Sequence, residues 1–229
     1  MDALLKENPF DRFCRKCLTS ACQVILKHVW IGKIFGIENV PKNGPLILIS
    51  NHVSYFDFII LGVFLEDILD RRLHFIAKQK IIDHPFFKYF VKYFQVLAIC
   101  ENKSINRVWK MALKLLKHDR AIGIFPEGTR SRSGGLMPFK QGYLRLANAS
   151  SATILPVYLT NTYNILPPNK KLPRLKKSDI IIHKPINLDK KLSKEGLKRI
   201  NQEVVNLYSL YESKGKKYDE FCICLEKIK

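Results

Sequence analysis

Short continuous runs of apolar residues recur along the chain, and each has the length of a buried β-strand. Turn residues or polar segments bound these runs, and stretches with the helical spacing of apolar residues lie between them. The predicted strands cover residues 46–50, 73–77, 96–99, 121–125, 154–159 and 180–182. This alternation predicts a single α/β domain with a mixed, mostly parallel sheet flanked by helices.

Helical spacing is clearest in residues 104–117, where the apolar residues form one stripe and the basic residues form another. A second helix is predicted near residues 193–211, and residues 58–65 also have a helical pattern. Residues 166–173 are rich in proline and predict an exposed loop. The basic stripe of residues 104–117 is typical of a solvated helix face, and membrane contact is the alternative.

Residues 10–35 mix apolar, basic and polar side chains in the pattern of an amphipathic helix. The most apolar stretch, residues 17–37, includes Gln23, Lys27 and Lys33 and is too polar for a membrane span. Either the helix lies in a membrane interface or it simply packs on the domain. We therefore predict an amphipathic, membrane-associating segment over residues 1–36 and one folded domain over residues 37–229.

The charge balance indicates anionic partners. The chain has 229 residues and is 47% hydrophobic, which is enough for one well-packed domain. Its 39 Lys and Arg residues against 20 Asp and Glu residues give a formal net charge of +19. Such a charge concentrates nucleic acid, anionic lipid headgroups or phosphorylated substrates near the surface, and composition does not choose among them.

The cysteines form no regular framework, which is typical of a reducing, cytosolic compartment. They are Cys14, Cys17, Cys22, Cys100, Cys222 and Cys224. The close-spaced pairs have the separation of metal ligands but lack the turn residues that flank zinc knuckles. We expect neither a disulfide scaffold nor a metal site.

A polar motif follows directly on the predicted strand at residues 46–50. It reads Asn51-His52-Val53-Ser54-Tyr55-Phe56-Asp57. If the chain turns into a helix after His52, Asp57 can hold one ring nitrogen of the imidazole in its protonated form. The other nitrogen is then free to accept a proton. His52 and Asp57 alone are a weak signal, because a lone His and Asp near a strand end are often structural.

A second motif also follows an apolar strand. It reads Phe125-Pro126-Glu127-Gly128-Thr129-Arg130-Ser131 and opens into a loop that contains Gly134 and Gly135. Arg130 offers a planar set of donors for phosphate or carboxylate, and backbone amides around Gly128 are further anion donors. The alternative is a loop in which Glu127 and Arg130 pair with each other.

Together the two motifs resemble those of the glycerolipid acyltransferases typified by lysophosphatidic acid acyltransferases. That family's pattern continues with a Phe-Lys-x-Gly segment and a late apolar segment with a proline. Here these are Phe139-Lys140-Gln141-Gly142 and Ile154-Leu155-Pro156-Val157. The resemblance covers residues 32–182, which makes residues 37–229 the expected acyltransferase domain.

The resemblance implies that His52, oriented by Asp57, accepts the proton of a lysolipid hydroxyl that attacks the thioester of acyl-CoA or acyl-carrier protein. No covalent acyl-enzyme, cofactor or metal is expected. Backbone amides near Gly128 would stabilise the oxyanion. The residues that the resemblance assigns to the acceptor headgroup or to other anion contacts are Glu127, Gly128, Thr129, Arg130, Lys140 and Lys78. The implied location is peripheral, on the cytoplasmic face of a membrane.

One position departs from the family pattern. After the strand at residues 96–99, the family commonly has an Arg that grips the acceptor phosphate, whereas this chain has Glu101. A carboxylate repels a phosphate by about 1 kcal/mol or more at a partly solvated site. Either Lys103 substitutes for the missing Arg, or the acceptor is a lysophospholipid with a cationic head or a lipid without phosphate.

Two other classes of function compete with the enzyme. A catalytically silent membrane-binding module would keep the fold but has no need of the pair His52 and Asp57. Nucleic-acid binding is suggested by charge, with Tyr208, Tyr211 and Tyr218 close to basic residues of the C-terminal segment. That segment is more simply a solvated or lipid-facing basic surface, so we do not expect a nucleic-acid partner.

Overall fold

The computed structural model describes residues 8–69, 73–78, 97–99, 105–168, 170, 172–188 and 191–214. Within these ranges the chain forms a seven-stranded sheet. Its strands are β1 (Ile31–Phe35), β2 (Leu46–Ser50), β3 (Leu73–Lys78), β4 (Leu97–Ile99), β5 (Ala121–Ile124), β6 (Thr153–Leu159) and β7 (Ser178–Ile182).

Helices alternate with these strands along the chain. They are α1 (Pro9–Val29), α2 (Tyr55–Ile59), α3 (Leu65–Leu69), α4 (Ile105–Lys117), α5 (Gly142–Ser150), α6 (Thr162–Ile165) and α7 (Lys194–Lys214). A π-helical turn, Ile60–Phe64, joins α2 to α3, and a short 3₁₀ turn, Ile37–Asn39, follows β1.

The order of strands across the sheet is β1-β7-β6-β2-β5-β3-β4. The strand β2 pairs in parallel with both β5 and β6, whereas β6 and β7 pair antiparallel. The sheet is thus mixed and mostly parallel, as predicted. Because parallel strands share one direction, the carboxyl ends of β2, β5 and β6 meet at the same edge, where clefts form in open α/β sheets.

The core divides into two layers on opposite faces of the sheet. Every residue of β2 is buried, as expected for a central parallel strand covered on both faces. Leu46 and Leu48 contribute to one layer, which includes buried residues from α2, the π turn and α3. Ile47 and Ile49 contribute to the other, which includes residues from α4, α5 and α7. The central strand therefore fixes the position of whatever follows its carboxyl end.

All six predicted strands are present, with ends shifted by at most two residues. The helices predicted at residues 104–117 and 193–211 correspond to α4 and α7, and residues 58–65 lie in the helical stretch from α2 to α3. The pattern did not predict β1, α5 or α6.

The prediction of one continuous helix over residues 10–35 was wrong at its C-terminal end. The helix α1 ends at Val29, and the N–H of Trp30 closes it on the carbonyl of Leu26. The next residues pair in parallel with β7, and the N–H of Lys33 donates to Oδ1 of Asp179 over 2.8 Å. The predicted segment 1–36 therefore combines a helix with an edge strand of the sheet.

The helix α1 both packs on the domain and exposes apolar side chains. Leu26 is buried, and the side chain of Gln23 donates to the carbonyl of Val63. The exposed large apolar residues of α1 are Phe10, Phe13, Val24 and Ile25. Within the described ranges, no helix has the length and apolarity needed to cross a membrane.

Candidate active site

His52 lies at the carboxyl end of the central strand β2, and its imidazole meets Asp57 as predicted. Nδ1 of His52 is 2.9 Å from Oδ2 of Asp57. The imidazole also stacks on the ring of Phe125, with the ring centroids 4.0 Å apart. Nε2 makes no hydrogen bond within the described residues. The carboxylate thus favours the tautomer with hydrogen on Nδ1, which leaves Nε2 as the acceptor.

Asp57 is held rigidly because it is part of the N-terminal cap of α2. Its Oδ2 accepts hydrogen bonds from the N–H groups of Val53 and Ser54, over 2.7 and 2.8 Å. Ser54 is the N-cap residue and accepts from the N–H of Phe56, which completes a capping box. The carboxylate is fully buried. The same cap that begins the helix therefore sets the distance between Asp57 and the imidazole.

Asn51 locks the strand ends next to the imidazole. Its side-chain amide donates to the carbonyl of Leu159 over 2.9 Å, and its Oδ1 accepts from the N–H of Leu159 over 2.8 Å. This reciprocal pair joins the ends of β2 and β6 where regular pairing stops. Asn51 is therefore a buried structural support for His52.

Glu127 is buried, and its carboxylate bonds to backbone groups of the protein. The side chain is only 2% exposed. Its Oε1 accepts from the backbone N–H of His52 over 2.7 Å, and its Oε2 accepts from the N–H of Met137 over 3.2 Å. Both oxygens are thus engaged inside the protein. We reassign Glu127 as a positioning residue that holds the backbone of His52.

The pKa of Glu127 is raised to about 7, mainly by burial and to a smaller extent by the nearby carboxylates of Asp57 and Glu212. The two backbone N–H donors act in the opposite direction, because they favour the ionised form. The carboxyl group therefore titrates close to neutral pH.

The loop after β5 contacts His52 a second time. The N–H of Ser131 donates to the carbonyl of His52 over 2.8 Å. With the bond to Glu127, both polar groups of the His52 backbone are held by the second motif. Two segments that are far apart in sequence are thereby fixed to each other at the strand ends.

Gly128 turns this loop in a conformation that other residues rarely adopt, with φ of +72°. Its N–H donates to the carbonyl of Phe125 and so is used within the turn. A Cβ atom at this position would lie 2.9 Å from Nζ of Lys140. The structure therefore brings Gly128 and Lys140 together, and the exposed ammonium of Lys140 lies over the turn.

Among the described residues, the backbone amides of Thr129 and Arg130 donate no hydrogen bond, so they are better placed than Gly128 to serve as oxyanion donors.

The guanidinium of Arg130 lies 3.6 Å from the ring centroid of Tyr55. Its Nη1 atom is buried and has no hydrogen-bond partner in the described part of the chain. A buried donor without a partner is costly, so this nitrogen favours an anionic ligand. No ion pair between Arg130 and Glu127 occurs within the described residues, so the alternative of a self-paired loop does not hold.

Two predicted positions add little to this geometry. Lys78 is the last residue of β3, and only its backbone is described. Glu101, where the family pattern has a basic residue, lies outside the described residues, as does Lys103.

A cavity of about 400 Å³ opens beside the turn that carries His52. It lies next to Asn51 and Val53, the neighbours of His52 in the chain. Its other walls come from the loop after β5, the end of β6, α6, the start of β7 and the end of α7, and they include Tyr163, Lys177 and Glu212. Sequence reasoning did not foresee this cavity, because most of its lining comes from segments outside the two motifs.

The family model named Acyltransferase matches residues 33–160 of the chain. This range contains both motifs and the Phe139 to Gly142 segment. The chain belongs to this acyltransferase family.

Curated relatives agree with the assignment. The chain is 32% identical over 134 residues to a 1-acyl-sn-glycerol-3-phosphate acyltransferase of Borreliella burgdorferi, covering 57% of this chain and 52% of the relative. It is 27% identical over 176 residues to the enzyme of the same name from Bacillus subtilis, covering 77% and 82%. The chain thus spans only about half of the Borreliella relative but most of the Bacillus one.

The fold is also that of a solved structure. The crystal structure of the 1-acyl-sn-glycerophosphate acyltransferase PlsC from Thermotoga maritima matches with a TM-score of 0.68 at 22% identity. The match covers 91% of this acyltransferase and 81% of that chain. The likeness establishes the fold.

Proposed function

We propose that this acyltransferase moves a fatty acyl group from acyl-CoA or acyl-carrier protein to the free hydroxyl of lysophosphatidic acid, which gives phosphatidic acid. The observation that carries the proposal is the bond between Nδ1 of His52 and Oδ2 of Asp57, which leaves Nε2 without a partner among the described residues. The names of the curated relatives support lysophosphatidic acid as the acceptor.

In the proposed reaction, Nε2 of His52 takes the proton of the acceptor hydroxyl as its oxygen attacks the thioester carbonyl carbon. A C–O bond forms and the carbonyl oxygen becomes negatively charged. When this intermediate collapses, the C–S bond breaks and the imidazolium returns the proton to the departing thiolate. The base is regenerated in one cycle, without a covalent acyl-enzyme.

Arg130 is the residue proposed to hold the acceptor phosphate. Its Nη1 is a buried donor without a hydrogen-bond partner among the described residues, and Tyr55 supports the guanidinium plane from one side. A phosphate would satisfy the free donor and balance the charge. Lys140, which lies over the turn at Gly128, adds a second positive charge to this part of the site.

We propose that the enzyme binds peripherally to a membrane, on the cytoplasmic face. The exposed apolar side chains of α1 support membrane contact, since no described residue covers them. The irregular cysteine content supports the reducing side of the membrane, and Cys14 and Cys17 are free.

A matrix of acceptors and donors tests the proposal. Purified full-length protein is incubated with labelled acyl-CoA or acyl-carrier protein and with lysophosphatidic acid, lysophosphatidylcholine, lysophosphatidylethanolamine or a lipid without phosphate. We expect phosphatidic acid to be the main product. A clear preference for a cationic or phosphate-free acceptor would refute this choice and support the alternative raised by Glu101. Absence of transfer for every combination would support a silent membrane-binding module.

A further inference from the structure

An exposed basic loop with two leucines precedes β7. We call it the leucine loop, and its described members are Lys170, Leu172, Arg174, Leu175, Lys176 and Lys177. Leu172 and Leu175 are each 80% exposed, more than the exposed apolar residues of α1. Single exposed leucines are common on protein surfaces, but two so close together among basic residues are an unusual surface.

The structure holds this loop in place through its backbone. The N–H of Arg174 donates to the carbonyl of Ile165 over 2.7 Å. The carbonyl of Arg174 accepts from the indole Nε1 of Trp30 over 3.0 Å and from the N–H of Lys176 over 2.8 Å. Arg174 lies between the two leucines in sequence, and both its N–H and its carbonyl group are hydrogen-bonded. This fixed backbone keeps Leu172 and Leu175 outside the core.

The leucine loop contacts the C-terminal end of α1. Trp30, the residue that closes α1, donates its indole N–H to the carbonyl of Arg174 in the loop. The ring of Trp30 packs against Phe56, with the ring centroids 5.3 Å apart. The exposed Val24 and Ile25 lie in the last turns of the same helix. The loop is therefore fixed to the end of a helix that also exposes apolar side chains.

Charge identifies the partner. Residues 170–177 include five Lys and Arg residues and no Asp or Glu. An apolar tip surrounded by cations matches a bilayer with anionic headgroups, because the leucines enter the acyl region while the cations stay among the phosphates. We propose that the leucine loop inserts into an anionic membrane surface and forms a second anchor beside α1.

This anchor would also set the orientation of the active site. The segment that leads to the loop begins at Leu166, whose carbonyl accepts from the hydroxyl of Ser54 over 2.7 Å. Ser54 caps the helix that carries Asp57. Binding of the loop to a bilayer thus places the catalytic turn one short segment away from the lipid surface. The inference rests on the proposed function only in that the acceptor is a membrane lipid.

The test is sedimentation of the full-length protein with vesicles of phosphatidylcholine containing about one third phosphatidylglycerol. The variant L172S/L175S should bind at least about tenfold more weakly than wild type, whereas L172F/L175F, which keeps the apolar character, should bind at least as well. The charge variant K170Q/K176Q should lose about tenfold, since each lysine near an anionic surface contributes, and K194Q/K198Q on α7 should lose much less.

Unchanged vesicle binding by L172S/L175S would overturn the inference. The inference would also be overturned if L172S/L175S bound vesicles normally but lost acyl transfer only with acyl-carrier protein as the donor. The loop would then be a protein-docking surface. Acyl transfer to a detergent-dispersed lysolipid is measured in parallel, and L172S/L175S should retain wild-type activity there. If the proposed function is wrong, wild type itself transfers no acyl group in detergent, and the vesicle-binding result can still be interpreted.

Discussion

The backbone N–H of His52 donates to Oε1 of Glu127 over 2.7 Å, which joins the two sequence motifs by one buried hydrogen bond. The residues lie 75 positions apart in the chain. The bond gives the glutamate a role in the geometry of the base. It also places a titratable carboxyl group, whose pKa is about 7, next to the backbone of His52.

Glu127→Gln should change how stability depends on pH. The pKa of Glu127 is raised from 4.5 to about 7 in the folded protein, so folding favours the protonated acid. The stability that this group contributes is present below about pH 4.5 and is lost as pH rises through 7. The free energy of unfolding is measured in urea at about pH 5 and about pH 8. Between these two pH values it should fall by on the order of 3 kcal/mol more in wild type than in the variant. Equal pH dependence in both proteins would contradict the assignment.

His52→Ala should lower kcat by about 10²–10⁴-fold, which is the usual contribution of a general base. The measurement is the formation of labelled phosphatidic acid from acyl-CoA and lysophosphatidic acid. Vesicle binding should be retained, because His52 is buried and is not one of the exposed apolar residues. The exposed His118 gives a matched control, since His118→Ala removes the same side chain outside the site. Full activity in the His52 variant would disprove its role as the base.

The sequence predicted the strands and the contact between His52 and Asp57 because both depend on local information. The run at residues 46–50 is apolar throughout, and Ser54 and Asp57 have the spacing of a capping box. These patterns need no distant partner. The predicted meeting of the His52 and Asp57 side chains followed from the same short segment.

The features that were missed depend on distant contacts. The sequence Ile31 to Phe35 fits an amphipathic helix, and only β7 and the carboxylate of Asp179 make it a strand. The backbone contacts of Glu127 were not predicted for a similar reason. Its partners are backbone N–H groups. Almost every residue type has such a group, so the motif sequence does not reveal which of them Glu127 will meet.

Asp57→Asn should reduce both activity and stability. An asparagine that turns its amide toward Nδ1 of His52 donates a hydrogen bond, so the proton of the ring moves to Nε2 and the base is lost. We expect kcat to fall by about 10²-fold or more. Because Oδ2 also accepts from Val53 and Ser54, the free energy of unfolding should fall by about 1–2 kcal/mol.

The control for this substitution is Glu203→Gln, which removes one carboxylate from an exposed ion pair with Arg199. Such pairs contribute about 0–1 kcal/mol, so stability and activity should hardly change. A normal rate for the Asp57 variant would mean that the imidazole does not need its carboxylate partner.

Arg130→Lys should weaken the grip on the acceptor while sparing the chemical step. Lysine keeps the positive charge but loses the planar donor set and the stacking on Tyr55. The KM for lysophosphatidic acid should rise about tenfold or more, with a smaller change in kcat. Arg132→Lys is the matched control, because Arg132 is exposed and two positions away. An unchanged KM would show that Arg130 does not contact the acceptor.

Tyr208→Phe should destabilise the sheet where the active site is built. The hydroxyl of Tyr208 is fully buried, accepts from the N–H of Val157 over 3.1 Å and lies 2.9 Å from the carbonyl of Ile49. It thus bridges β6 and β2 next to the strand ends that carry Asn51 and His52. Phenylalanine has nearly the same shape but leaves the buried N–H unsatisfied, which costs about 1–3 kcal/mol. Denaturant unfolding should report this loss, whereas Tyr163→Phe, which removes an exposed hydrogen bond, should cost far less. Equal stability of the two variants would mean that the buried hydroxyl does not hold the strands together.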